Sequence, residues 1–102
     1  MIKVLTIEDS EETRDILKII LSEEKSIKFL EAASIKEGME ILKKETPEII
    51  LLDLSLPDGN GSYICEQIKS NPKYFGSPFI LALTAETSQE TVNTTLGVKS
   101  LF

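Results

Sequence analysis

Asp53 closes the apolar run Ile49-Ile50-Leu51-Leu52 and opens onto Leu54-Ser55-Leu56-Pro57-Asp58-Gly59-Asn60-Gly61. A buried strand gains nothing structurally from a charge at its tip, because an unpartnered carboxylate is costly to desolvate. In open α/β sheets, ligands bind beyond the carboxyl ends of the strands, so a carboxylate at that point is placed for chemistry. The apolar run Ile2–Ile7 ends the same way, in Glu8-Asp9. Carboxylates from two strand ends converging on one crevice repel, and either a pKa rises or a cation is recruited. Oxygen donors, in a chain with no His and a single Cys, suit Mg2+ or Mn2+ and make a zinc site untenable. Leu83-Thr84-Ala85 ends a further apolar run in a hydroxyl, placed to hydrogen-bond an anion held on Asp53. Taken singly, Glu8 and Asp9 also read as acids opening a helix, and Thr84 as a helix-start residue. The convergence with Asp53 favours a phosphoryl-acceptor site: a nucleophilic carboxylate, a divalent cation and a reporting hydroxyl.

The elements that must position these residues alternate along the chain. Ile2–Ile7 reads as a strand. Glu11–Glu23 follows as a helix with Ile16, Leu17, Ile20 and Leu21 as its apolar stripe. Ile27–Ala32 alternates as a half-exposed edge strand would. Ser34 and Glu37 form a capping box ahead of a helix carrying Ile35, Met39 and Leu42, broken by Thr46-Pro47. Ile49–Asp53 is the third strand. Gly61–Ser70 is a helix with Ile64, Cys65 and Ile68 inward, ended by Asn71-Pro72; Phe79–Leu83 is the fourth strand. Ser88–Leu96 is a weak helix, and Val98–Phe102 begins a fifth strand. Strict alternation implies an α/β fold, a flavodoxin-like doubly wound parallel sheet of order 2-1-3-4-5. In that order the first and third strands are neighbours, so Glu8, Asp9 and Asp53 meet at the switch point. The remaining notable side chains have plain readings: Cys65 as a buried core thiol, Tyr63 and Tyr74 as packing, Gly59 and Gly61 as turn residues.

The bulk properties narrow the function. At 102 residues the chain is a single domain. A formal charge of −6, without a basic stripe, argues against nucleic-acid binding by this domain. No apolar stretch approaches the ~20 residues of a membrane span, and no signal-peptide cleavage site follows the start. A cytoplasmic location is expected.

In combination, Glu8-Asp9, Leu52-Asp53-Leu54-Ser55-Leu56-Pro57 with Gly61 after it, and Leu83-Thr84-Ala85 resemble the receiver domain of bacterial two-component response regulators, of the chemotaxis-regulator type. The resemblance runs through all 102 residues. It implies a signalling switch rather than a turnover enzyme, in which Asp53 accepts a phosphoryl group from a sensor histidine kinase or phosphotransfer protein. Asp9 would ligate Mg2+ directly and Glu8 mainly through water, with the backbone carbonyl of Ser55 completing the protein ligands. Thr84 would be the switch hydroxyl, and Ser55 and Glu86 would tune dephosphorylation.

The chain departs from the family pattern at its end. By the family pattern, the lysine and last helix that follow the fifth strand would be expected only past Phe102, and the family's aromatic switch position falls on Leu101. The expectation is a receiver domain lacking the last helix in this chain and C-terminally incomplete, with a bare apolar sheet face that favours self-association. The alternative is a pseudo-receiver, an interaction module that is not phosphorylated. An aspartyl-nucleophile phosphohydrolase fits less well, because Thr6-Ile7-Glu8 lacks its Asp pair. A flavin carrier is opposed by Glu8-Asp9-Ser10-Glu11-Glu12, which would repel a phosphate.

Overall fold

A computed structural model describes residues 1–83 together with the backbone of residues 99–100. Thr84, Glu86, Leu101 and the expected helix over 88–96 lie outside the described residues.

The main sheet is built from β1 (Ile2–Ile7), β2 (Ile27–Ala32) and β3 (Ile49–Leu52), then past a small hairpin from β6 (Phe79–Ala82) and β7 (Lys99–Ser100). All its pairings are parallel, in the order β2-β1-β3-β6-β7. With the hairpin strands set aside, this is the expected 2-1-3-4-5. The register pairs Ile7 with Ala32 on one side and with Leu52 on the other, so three strands end level. β2 lies at the edge and is only partly buried, as its alternation required.

The pleat sends alternate residues to opposite layers. Leu5, Ile7, Ile50, Leu52 and Ala82 face the larger core, which is closed by Leu42, Ile64, Cys65, Ile68 and Phe75. Those residues come from α2 (Ile35–Glu45), α3 (Ser62–Ser70) and the short α4 (Pro72–Phe75). Val4, Leu51 and Leu83 face the other way, toward Leu17 and Leu21 of α1 (Glu11–Leu21). Helices therefore cover both faces, the doubly wound arrangement.

Caps set the helix starts. Ser10 Oγ accepts from the Thr13 amide at 3.2 Å, and Ser34 Oγ from the Glu37 amide at 3.2 Å. The capping box closes one residue early: Glu37 Oε1 accepts from the amide of Ala33, not of Ser34.

Two local expectations need correction, and two short elements were not foreseen. The segment 55–60 forms an antiparallel hairpin, β4 (Ser55–Leu56) with β5 (Gly59–Asn60), whose strands are too short to show a period. The helix α3 ends at Ser70, at Asn71-Pro72 as expected, but a short α4 follows at once, since proline at a helix start costs no internal hydrogen bond. The stripe of α1 divides: Leu17 and Leu21 pack on the sheet, whereas Ile16 and Ile20 are exposed. Tyr63 is exposed; Tyr74 is exposed too, though its ring meets Phe75 edge-on at 4.9 Å. Among the described residues, no helix is long and apolar enough to cross a membrane.

Candidate functional site

The hydrogen-bond ladder runs past the last paired residues and carries the acids with it. The Glu8 amide donates to the Ala32 carbonyl at 2.9 Å, the Asp53 amide to Ile7 at 2.9 Å, and the Leu83 amide to Leu52 at 2.8 Å. Glu8 and Asp53 are thereby fixed by backbone on adjacent strands, and Asp9 follows on the loop into α1.

A carboxylate oxygen from each of Glu8, Asp9 and Asp53 lies within 4.8 Å of the other two. Glu8 and Asp53 are buried and Asp9 is exposed, so the cluster opens to solvent on the Asp9 side. Burial, joined by the neighbouring Asp53 and Asp9 carboxyls, pushes the Glu8 carboxyl up to about 7, although the Ser10 amide donating to its Oε2 opposes the shift. This electrostatic frustration is the state a hard cation relieves, and an all-oxygen donor set is the right chemistry for Mg2+ or Mn2+.

The loop after Asp53 is built to hold the carboxylate still. The Ser55 amide donates to Asp53 Oδ1 at 2.9 Å. Gly61 closes the hairpin onto Leu54, its amide donating to the Leu54 carbonyl at 2.9 Å. No side chain fits there: a Cβ on Gly61 would stand 2.4 Å from the Asp53 carbonyl oxygen. The hairpin is tied to α2 by Asp58, whose Oδ1 and Oδ2 accept from the amides of Ile35 at 2.9 Å and Lys36 at 3.0 Å. Those two amides also hold the Asp58 carboxyl below the usual range.

The structure thus brings Glu8, Asp9 and Asp53 together and sets Ser55 beside them, while Thr84 lies outside the described residues. Two contributors escaped the sequence reading. Asp58 is one, signalled only by its place in the Pro57-Asp58-Gly59 turn. Arg14 is the other: its Nη1 donates to the Glu8 carbonyl at 2.7 Å. No sequence period marks it, because it sits among the polar residues of α1.

The sequence profile of the response regulator receiver domain matches residues 4–100. The sensory transduction protein LytT of Bacillus anthracis is 36% identical over 86 residues, covering 83% of this chain and 34% of LytT. The chain thus spans about a third of that relative's length. A two-component response regulator from Clostridium difficile has the same fold, with a TM-score of 0.87 at 22% identity, covering 100% of this chain and 83% of that one. A response regulator from Burkholderia pseudomallei, solved with a phosphorylated aspartic acid, a calcium ion and citrate, gives 0.84 at 22% identity, covering 98% and 58%. At such identities these two structures speak for the fold alone.

Proposed function

The chain belongs to the response regulator receiver domain family, and from that premise we propose that Asp53 is a phosphoacceptor operating with a divalent cation, Mg2+ or Mn2+. The observation that carries the reading is the cluster itself: carboxylate oxygens of Glu8, Asp9 and Asp53 within 4.8 Å of one another at the carboxyl ends of two adjacent strands.

Asp9 and Asp53 would hold the cation directly, Glu8 through water, and the Ser55 carbonyl would complete the set. Such a cation, when bound, neutralises charge on a transferring phosphoryl group. The protein's own part is positioning. Asp53 is 9% exposed and its carboxylate is oriented by the Ser55 amide, so the nucleophile is held rather than searched for. In the transfer, an Asp53 oxygen bonds to phosphorus as the phosphorus–nitrogen bond of a donor phosphohistidine breaks. The electron pair leaves with the imidazole nitrogen, which solvent protonates as needed.

The donor is a sensor histidine kinase or a phosphotransfer protein, and Thr84 is the hydroxyl that senses the phosphoryl group. The domain acts as the acceptor in a signalling switch and not as a turnover enzyme on a small substrate.

Thermal unfolding with and without millimolar Mg2+ tests the site. A cation that binds only the folded chain stabilises it by linkage, so the melting temperature should rise. Asp9→Asn should remove most of the rise, whereas Glu37→Gln, on α2, should leave it intact. A melting temperature indifferent to Mg2+ in the wild type would contradict the reading.

A further inference from the structure

Arg14 connects the acidic cluster to an ion pair between Glu31 of β2 and Lys18 of α1. Its side chain is 15% exposed. The guanidinium is used as a fork: Nη1 donates to the Glu8 carbonyl at 2.7 Å, and Nε donates to Glu31 Oε1 at 3.2 Å. Lys18 holds the other oxygen of Glu31 at 2.8 Å. Glu31 itself is fixed by the sheet, opposite Thr6 in the parallel register.

The Glu8 carbonyl belongs to the peptide plane that joins Glu8 to Asp9. The Glu8 amide, bonded to Ala32, holds the preceding peptide plane, and Arg14 clamps the carbonyl of the Glu8–Asp9 plane itself. The direction in which the Asp9 carboxylate leaves the backbone depends on the same plane. Groups outside a metal's own ligands commonly act this way, orienting ligands they do not replace.

We propose that Arg14 is a positioning residue for divalent-cation binding, acting through the Glu8 carbonyl, with Glu31 as the brace that holds its guanidinium. The inference rests on the cation site put forward under Proposed function and deepens it. Its sign is distinctive. A fixed positive charge beside a cation site opposes a second cation, so charge alone predicts tighter binding when Arg14 is neutralised. Positioning predicts weaker binding.

Titration calorimetry with Mg2+ at constant ionic strength separates the two, with circular dichroism reporting the folded fraction. Arg14→Met should weaken binding about tenfold, the scale seen when an outer partner of a metal ligand is lost. Arg14→Lys keeps the charge, but one ammonium cannot reproduce the guanidinium fork, so it should also bind several-fold more weakly. Glu31→Gln should show a smaller loss in the same direction. Should Arg14→Met fail to fold, Arg14→Lys and Glu31→Gln carry the test. Tighter binding in Arg14→Met with no change in Arg14→Lys would overturn the proposal, as would unchanged affinity in all variants beside a wild type that binds. A wild type that takes up no Mg2+ would overturn the cation site first, and this inference with it.

Discussion

The Asp53 amide donates to the Ile7 carbonyl at 2.9 Å, one step beyond the pairing of Ile7 with Leu52. That bond fixes the candidate acceptor's backbone against the strand that delivers Glu8 and Asp9. Ile7 is fully buried and packs so closely against α2 that a Cβ on Gly38 would stand 2.7 Å from its Cδ1. The acids are therefore carried on a closely packed part of the sheet, and their mutual repulsion is built into the fold.

That repulsion has a pH signature. Burial and the adjoining carboxyls lift the Glu8 carboxyl to about 7 in the folded chain. The folded state thus binds the Glu8 proton more tightly than the unfolded state, so stability falls as pH rises from the ordinary carboxylate range through about 7 and levels off above it. Glu31 and Glu45, held low mainly by Lys18 and Lys3, and Asp58, held low by backbone amides, act in the opposite sense and only as pH falls below their ordinary range. The two windows are separate. Urea denaturation without divalent cations should show the wild type less stable at pH 8 than at pH 5.5, and Glu8→Gln should flatten the difference.

Gly61→Ala should damage the fold and the site together. The backbone of Gly61 has an ordinary negative φ, so the cost is purely steric. Its Cβ would meet the Asp53 carbonyl oxygen at 2.4 Å and the Leu54 Cα at 3.1 Å, atoms that a rotamer change cannot move. A loss of about 1–3 kcal/mol is expected, as for other overpacked positions. Chemical denaturation measures the loss, and a Mg2+ titration should show weaker binding because the loop that orients Asp53 must shift.

The sheet order was legible because β3 is apolar throughout, β1 is largely so, and each runs straight into acids, the pattern of interior strands of a parallel sheet. The start of α2 was legible through Ser34, whose hydroxyl caps as its position suggests, whereas the cap of α1, Ser10, was not singled out among the acids around it. Periodicity failed where it had too few residues to act on, in the hairpin strands Ser55–Leu56 and Gly59–Asn60. In α1 it marked Ile16 and Ile20 as inward, yet both are exposed, because the face that meets the sheet is narrower than the apolar stripe. For the candidate site, residue type and strand position were enough to foresee that the carboxylates of Glu8, Asp9 and Asp53 meet. Arg14 and Asp58 act through backbone groups 6 and 22–23 residues away, relationships that exist only after folding.

Thr6 offers a control that leaves the site alone. It is fully buried in the middle of β1, and among the described residues nothing bonds its hydroxyl. An unpaired buried hydroxyl costs about 1–3 kcal/mol, and valine has the same shape without that group. Thr6→Val should raise stability by about 1 kcal/mol in urea denaturation while leaving Mg2+ affinity unchanged.

Intact-mass spectrometry after incubation with acetyl phosphate tests the acceptor most directly. With Mg2+, the wild type should gain one phosphoryl group. The gain should vanish when the cation is chelated and should be absent in Asp53→Asn, since positioning and charge neutralisation carry such a transfer but a nucleophile is still required. Labelling that persists in Asp53→Asn would place the acceptor elsewhere. A folded, Mg2+-binding wild type that gains no phosphoryl group would contradict the phosphoacceptor and leave an interaction module that keeps the fold without the switch.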